Sequence, residues 1–298
     1  MNPFSDWGFK RVFGQEANKD LLINFLNSLF EGERRIMDVT YRDKEQLPFS
    51  KDTKGAIYDI FCVTDTGEHI IVEMQNRYHE HFVERTVYYG AYSILRQKMK
   101  GDDDYDFAPV YVICFMNFEM EGDEFEELRT EGWIMNPRNG RILMRKLRFI
   151  YLMLPRFEKS KEECVTNFEK WIYVLKNMET LDTMPFTEKQ ALFRKLAEVM
   201  DTQALTRDEF DKYFYSMKKL RDSIAIDKAS INKGHRQGLA EGLEKGIKQG
   251  LEQGEKQGLA KGEAKERIKN ARAMKAEGLS PELIAKITSL TIEEIEQL

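Results

Sequence analysis

Ala56–Gln75 reads AIYDIFCVTDTGEHIIVEMQ, two runs rich in Ile, Val, Phe and Tyr on either side of Asp65-Thr66-Gly67, with Asp59 and Glu73 as the only carboxylates inside the runs. β-Branched and aromatic runs around a turn signal predict a β-hairpin. Turn length then decides which side chains share a face. A two-residue loop puts Asp59 and Glu73 on opposite faces. A three-residue loop at Asp65, Thr66 and Gly67, with Gly67 supplying a positive φ, pairs Thr64 with Glu68 and therefore Asp59 with Glu73. The second register is the one expected here. It sets the two carboxylates about 5 Å apart at Cβ on one face, with Gln75 next along that face and roughly 7 Å diagonally from Asp59.

Like charges facing each other in an apolar sheet repel and lose hydration, a cost that a divalent cation offsets. Oxygen ligands at this separation suit Mg2+ or Mn2+, which take one or two carboxylates and keep several waters. The spacing alone leaves a second reading open, in which one carboxylate points to solvent from a strand end or pairs with a basic neighbour such as Arg77.

Asp59, a hairpin, then Glu73-Met74-Gln75 resembles the core of the PD-(D/E)XK nucleases, in the variant carried by the bacterial recombination-promoting nuclease or putative transposase family. Other segments resemble that family as well. They are Ser5–Phe13 (SDWGFKRVF), Phe82–Gln97 with Arg85 and Tyr89, the apolar run Pro109–Phe118, Phe149–Phe157 ending LPRF, and the glycine-repeat tail. The resemblance implies an α/β fold with a mixed central sheet flanked by helices, followed by a helical region and the tail. It also implies a metal-dependent DNA endonuclease. Asp59, Glu73 and Gln75 would be its catalytic residues, and Asp59, Glu73 and the Met74 carbonyl would hold Mg2+ or Mn2+. Gln75 stands where this superfamily usually has Lys; Lys10, Lys51 and Lys54 are cations that could replace that charge.

Bulk properties fit a globular protein. The chain has 298 residues, 42% apolar and 11% aromatic, enough for one sizeable domain and an appendage. No N-terminal apolar run has signal-peptide length and no apolar stretch reaches ~18 residues, so a cytoplasmic protein without a membrane span is expected. Cys62, Cys114 and Cys164 lie in apolar segments at no zinc-site spacing and read as reduced core residues. A net charge of -5 excludes nucleic-acid binding by bulk electrostatics. Residues 233–275 nevertheless carry +5, residues 276–298 carry -4, and the remainder -6.

Outward from the hairpin, 1–32 reads as two helices, the first starting at Ser5 and the second capped by Asn18 and ended by Gly32. By resemblance Asp6 is a further metal-shell residue, with Glu16 behind it; the plainer reading is an acid complementing the helix dipole. Ile36–Gln46 reads as one strand pairing with the hairpin. His79 and His81 read as solvent-facing loop residues. His81–Met99 reads as a helix stopped at Gly101–Asp104, crossing over to a strand at 109–118 parallel to the Glu73 strand. On that helix Arg85 and Tyr89 either reach phosphate, Arg as a bidentate fork, or pack the sheet. A hairpin turn at Pro137–Gly140 and helices at 162–178, 187–200 and 207–228 complete the first 232 residues.

Gly234, Gly238, Gly242, Gly246, Gly250, Gly254, Gly258 and Gly262 keep an unbroken four-residue period. Glycine costs a helix about 1 kcal/mol against Ala, so the segment is either a self-associating or DNA-contacting arm or a weakly helical, solvated linker. The end of the chain predicts two short helices capped by Ser280 and Thr291, too acidic to read a DNA groove. The expected organisation is a nuclease core at 1–160, a helical cover at 161–232, the basic glycine arm at 233–275 and a helical hairpin at 276–298. The expected function is DNA cleavage linked to recombination or a mobile element. The alternative is a nuclease-fold protein that cuts weakly or not at all and serves as a DNA-binding or assembly module.

Overall fold

The computed structural model describes residues 1–48, 54–97, 104–120, 122, 125–181, 183–187 and 191–298. Lys51 and the helix stop at 101–103 lie outside the described residues. The chain divides into two compact units, Met1–Arg221 and Asp222–Leu298.

The first unit is built on a six-stranded mixed sheet. Its strands are β1 (Val39–Tyr41), β4 (Ile60–Thr64), β5 (His69–Gln75), β6 (Val110–Met116), β7 (Arg129–Met135) and β8 (Ile142–Met153), in the order β1-β4-β5-β6-β8-β7. β5, β6 and β8 run parallel, while β1, β4 and β7 are antiparallel to their neighbours. The central strand β6 is buried at every position, as a strand covered on both faces must be. A separate pair, β2 (Glu45–Gln46) and β3 (Ala56–Ile57), takes part of the stretch expected to continue β1. The expected single strand at 36–46 is thus broken after Tyr41.

The β4–β5 hairpin has the three-residue register. Val63 pairs with His69 and Ile60 with Val72, the Thr64 N–H donates to the Glu68 carbonyl, and Gly67 has φ +87°. The same register continued one residue sets Asp59 opposite Glu73.

Alternation along the strands splits the core. One face carries Ile60, Cys62, Ile70, Val72, Ile113 and Phe115. Against it pack α1 (Asp6–Phe13), α2 (Lys19–Leu29), α4 (Asn167–Asn177) and α5 (Ala191–Val199). Aromatic rings fill the interface: Phe13, Phe25 and Phe115 meet at centroid distances of 5.0 to 5.9 Å, and the fully buried Trp171 sits against Phe13, Phe25 and Phe193. Burying each such side chain stabilises the fold by about 2 to 3 kcal/mol. The other face carries Phe61, Ile71, Val112, Cys114 and Phe149 under α3 (Phe82–Leu95). Gly90 lets α3 approach closely, because a Cβ there would lie 2.8 Å from a Leu147 methyl carbon.

Helix ends follow their side chains. The Ser5 hydroxyl accepts from the Gly8 N–H at the start of α1. α4 begins later than hydrophobic spacing alone predicts because Thr166 and Glu169 form a capping box. α6 runs from Arg207 to Ala276 and includes all eight repeat glycines in helical conformation. In the second unit α7 (Pro281–Thr288) and α8 (Ile292–Glu296) pack on the end of α6 through Ala271, Ile284 and Ile295.

Because Gly67 sits in the left-handed region, Gly67→Val is expected to lower stability by about 1 to 2 kcal/mol, measured by urea unfolding. An unchanged midpoint would mean that the turn does not fix the register.

Candidate active site

Asp59 and Glu73 meet on the α3 face of the sheet, where the start of β4 lies beside the end of β5. Two crossed hydrogen bonds hold them. The Asp59 N–H donates to Glu73 Oε1 at 3.1 Å, and the Met74 N–H donates to Asp59 Oδ2 at 2.8 Å. Each carboxylate therefore keeps a second oxygen free of backbone donors. Gln75 Nε2 lies 3.5 Å from Glu73 Oε2, at the outer limit of a hydrogen bond. The Met74 main chain turns toward β4, since the alternate residues His69 and Gln75 bond across to the β6 side.

Glu73 is only 3% exposed. Burial and then the charge of Asp59 push its carboxyl up to about 8, against smaller opposing pulls from the Asp59 N–H, Arg85 and Gln75. Burial likewise raises Asp59, opposed by the Met74 N–H, Lys10 and Arg85. This is an acid pair that its surroundings do not neutralise. Among the described residues no group of three or more His, Cys, Asp and Glu side chains gathers to hold a metal. The donor set is thus two carboxylates, which fits a hard cation that retains most of its waters, as Mg2+ does, and not a fully protein-caged ion such as structural zinc.

The other residues singled out in the sequence fall into two groups. Arg85 and Tyr89 on α3 stand over the pair: Arg85 lies above the Phe82 and Tyr89 rings at 5.4 and 5.9 Å, and Glu73 raises the Tyr89 hydroxyl, after burial, toward about 12. Asp6 and Lys10 instead bond to each other along α1. Their charges are felt at Asp59, but neither is bonded to it. Glu16 pairs with Lys19 at 3.0 Å. Lys54 lines a cavity of about 510 Å³ with Arg85, Tyr88 and Tyr89. His81 is exposed and 3.3 Å from Glu84, in keeping with its reading as a loop residue. Sequence reasoning missed the two backbone donors, since an N–H leaves no mark on residue identity; the hairpin register was the signal that could have located them.

The family model for PD-(D/E)XK nuclease family transposases matches residues 3–229. The chain belongs to that family. No curated protein and no solved structure matches it. Membership accounts for the mixed sheet and implies a nuclease- or transposase-related function with DNA as its substrate, in a superfamily whose nucleases generally use divalent ions. Among the described residues no helix is long and apolar enough to cross a membrane.

The raised Glu73 carboxyl fixes a pH dependence. The folded chain binds this proton more tightly than the unfolded chain, so metal-free stability is greatest below the ordinary carboxylate range and falls as pH rises toward about 8. In EDTA the wild-type Tm should decline between about pH 5 and 8, while Glu73→Gln, which stays neutral, should show a flatter profile and a higher Tm at pH 8. Parallel profiles for the two proteins would remove the buried, uncompensated charge from the account.

Proposed function

We propose that the chain is a divalent-metal-dependent DNA endonuclease that hydrolyses phosphodiester bonds in the service of recombination or a mobile element. The supporting observation is the Asp59–Glu73 pair, a half-buried and a buried carboxylate each held by a backbone N–H, with one oxygen each free of those donors. Those oxygens and the Met74 carbonyl are the groups that would hold Mg2+ or Mn2+. Such an ion, when bound, supplies positive charge against the phosphate and acidifies a water.

The chain's own residues supply position. Asp59 and Glu73 are fixed before substrate arrives, so little reorganisation is needed during the reaction. Ile71 and Cys114 beside them are fully buried, which keeps bulk water from the inner side of the site and strengthens electrostatic interactions there. Gln75 can orient a water through its amide but brings no positive charge. That neutrality favours a slow catalyst, and in its extreme it supports the second reading, a nuclease-fold protein that binds DNA and cuts poorly. Residues 233–275, with their net charge of +5, are the segment whose composition best suits contact with DNA phosphates. Self-association through the glycine repeat belongs to the same proposal.

Purified protein should nick supercoiled plasmid in Mg2+ or Mn2+ and leave it intact in EDTA, and Asp59→Ala or Glu73→Ala should slow nicking by about 100-fold or more. Plasmid left equally intact by wild type and variants in every metal would assign the chain to the binding reading.

A further inference from the structure

Arg85 carries a feature that the carboxylate pair does not explain. Its Nε and Nη2 are buried, and neither has a hydrogen-bond partner among the described residues. These two atoms form one edge of the guanidinium, the side-on fork whose parallel N–H bonds match two oxygens of a carboxylate or phosphate. Arg34 and Arg156 leave only a buried Nε without a partner, so among the described residues Arg85 is the one arginine with the whole edge buried and unfilled. Arg148 shows the edge filled: it places Nε and Nη2 on the two oxygens of Glu131 at 2.8 and 2.7 Å and gives its remaining donors to Glu33.

Arg85 is held differently. The Phe82 and Tyr89 rings support it, and its charge reaches both Asp59 and Glu73 without an ion pair to either. Aromatic faces satisfy a cation's charge but not its directional N–H groups. A desolvated fork without acceptors is unfavourable until an oxyanion fills it. The space for one adjoins it: Arg85, Lys54, Tyr88 and Tyr89 line a cavity of about 510 Å³, whose wall also carries the carboxylates of Glu80 and Glu84, so an oxyanion has to sit on the Arg85 and Lys54 side.

We infer that Arg85 is the oxyanion-binding group of this site, its Nε–Nη2 fork taking two non-bridging oxygens of a nucleic-acid phosphodiester that enters the cavity beside the Asp59–Glu73 pair. Both donors are covered in the free protein, so binding requires rotation about the side-chain torsions of Arg85. The fork supplies at the phosphate the positive charge that Gln75 does not supply from β5. This deepens the nuclease reading and rests on it.

The test separates binding from cutting. The full chain is titrated in EDTA against a short fluorescent DNA duplex, by anisotropy, over a range of NaCl concentrations, with Arg85→Gln and Arg85→Lys beside wild type. Arg85→Gln should weaken binding about tenfold and reduce the slope of log affinity against log salt by about one. Arg85→Lys should keep the slope but recover only part of the affinity, because a point charge replaces a fork. Wild-type affinity and slope in both variants would overturn the inference, and where Arg85→Gln does not fold, wild-type affinity in Arg85→Lys does so alone. If the protein never nicks plasmid in any metal, the nuclease reading fails while an Arg85-dependent salt slope still stands. Metal-dependent nicking at the wild-type rate and KM in Arg85→Gln would instead sink the role of Arg85 and leave the nuclease intact.

Discussion

Two carboxylates side by side in a sheet, Glu73 buried and Asp59 half-buried, are the constraint around which the first unit is arranged. Alone, each would lose hydration and repel the other. The hairpin register makes the arrangement tolerable by aiming two strand-end N–H groups at them, Asp59 onto Glu73 and Met74 onto Asp59. The donors offset part of the cost, and the remainder appears as the upward displacement of both carboxyls. Sites that keep such unpaid charge in the resting state are typical of chemistry that brings its own countercharge. The three-residue turn therefore decides whether the pair exists: one residue fewer would rotate every side chain of one strand to the opposite face and separate the two carboxylates.

The repeat helix poses the opposite problem, a structure with little visible reason to hold. Built Cβ atoms at all eight repeat glycines meet nothing within 4 Å, so close packing does not require the glycines. Each costs about 1 kcal/mol against Ala, and tertiary contacts are the usual source of helix stability. Among the described residues such contacts occur toward the ends. In the first unit Arg11 pairs with Glu209, Ser216 accepts from the Trp7 N–H, and Met217 is buried. In the second, Ala271 and Met274 pack under α7 and α8. Between them Leu239, Leu243, Ile247, Leu251 and Leu259 are more than half exposed. A helix held toward its ends and solvated along its glycines has low local stability in between, where a partner would stabilise it.

The hairpin was legible because its information is local. Turn length and the parity of two positions decide whether Asp59 and Glu73 share a face, and both can be read from twenty residues. The β5–α3–β6 crossover was legible for the same reason, since helical spacing between two apolar runs leaves a parallel pairing as the simple outcome. What the sequence concealed is long-range. Nothing near Arg148 announces that Glu33 and Glu131, far apart in the chain, will close on it. The Asp6 carboxylate, read either as a metal-shell residue or as an acid complementing the helix dipole, pairs with Lys10 one turn along α1. The break between β1 and β2 follows from the pairing of Glu45–Gln46 with Ala56–Ile57, which local propensity does not encode.

Gln75 gains its meaning from the same electrostatics. A Lys at this position would place an ammonium near Glu73 Oε2 and hold that carboxylate ionised across neutral pH. The amide that stands there lies 3.5 Å away and exerts only the weakest of the pulls that lower Glu73. Burial and the Asp59 charge raise the Glu73 carboxyl, so the proposed cation would compete with a proton for its oxygen and its affinity would rise with pH. For the proposed nuclease the Gln would thus act twice: it would withhold a charge from the phosphate side of the site and leave the carboxylate pair in competition between proton and metal. A chain built this way keeps the scaffold of its family, and the cleavage proposed for it would be tied more closely to pH and to the concentration of divalent ions.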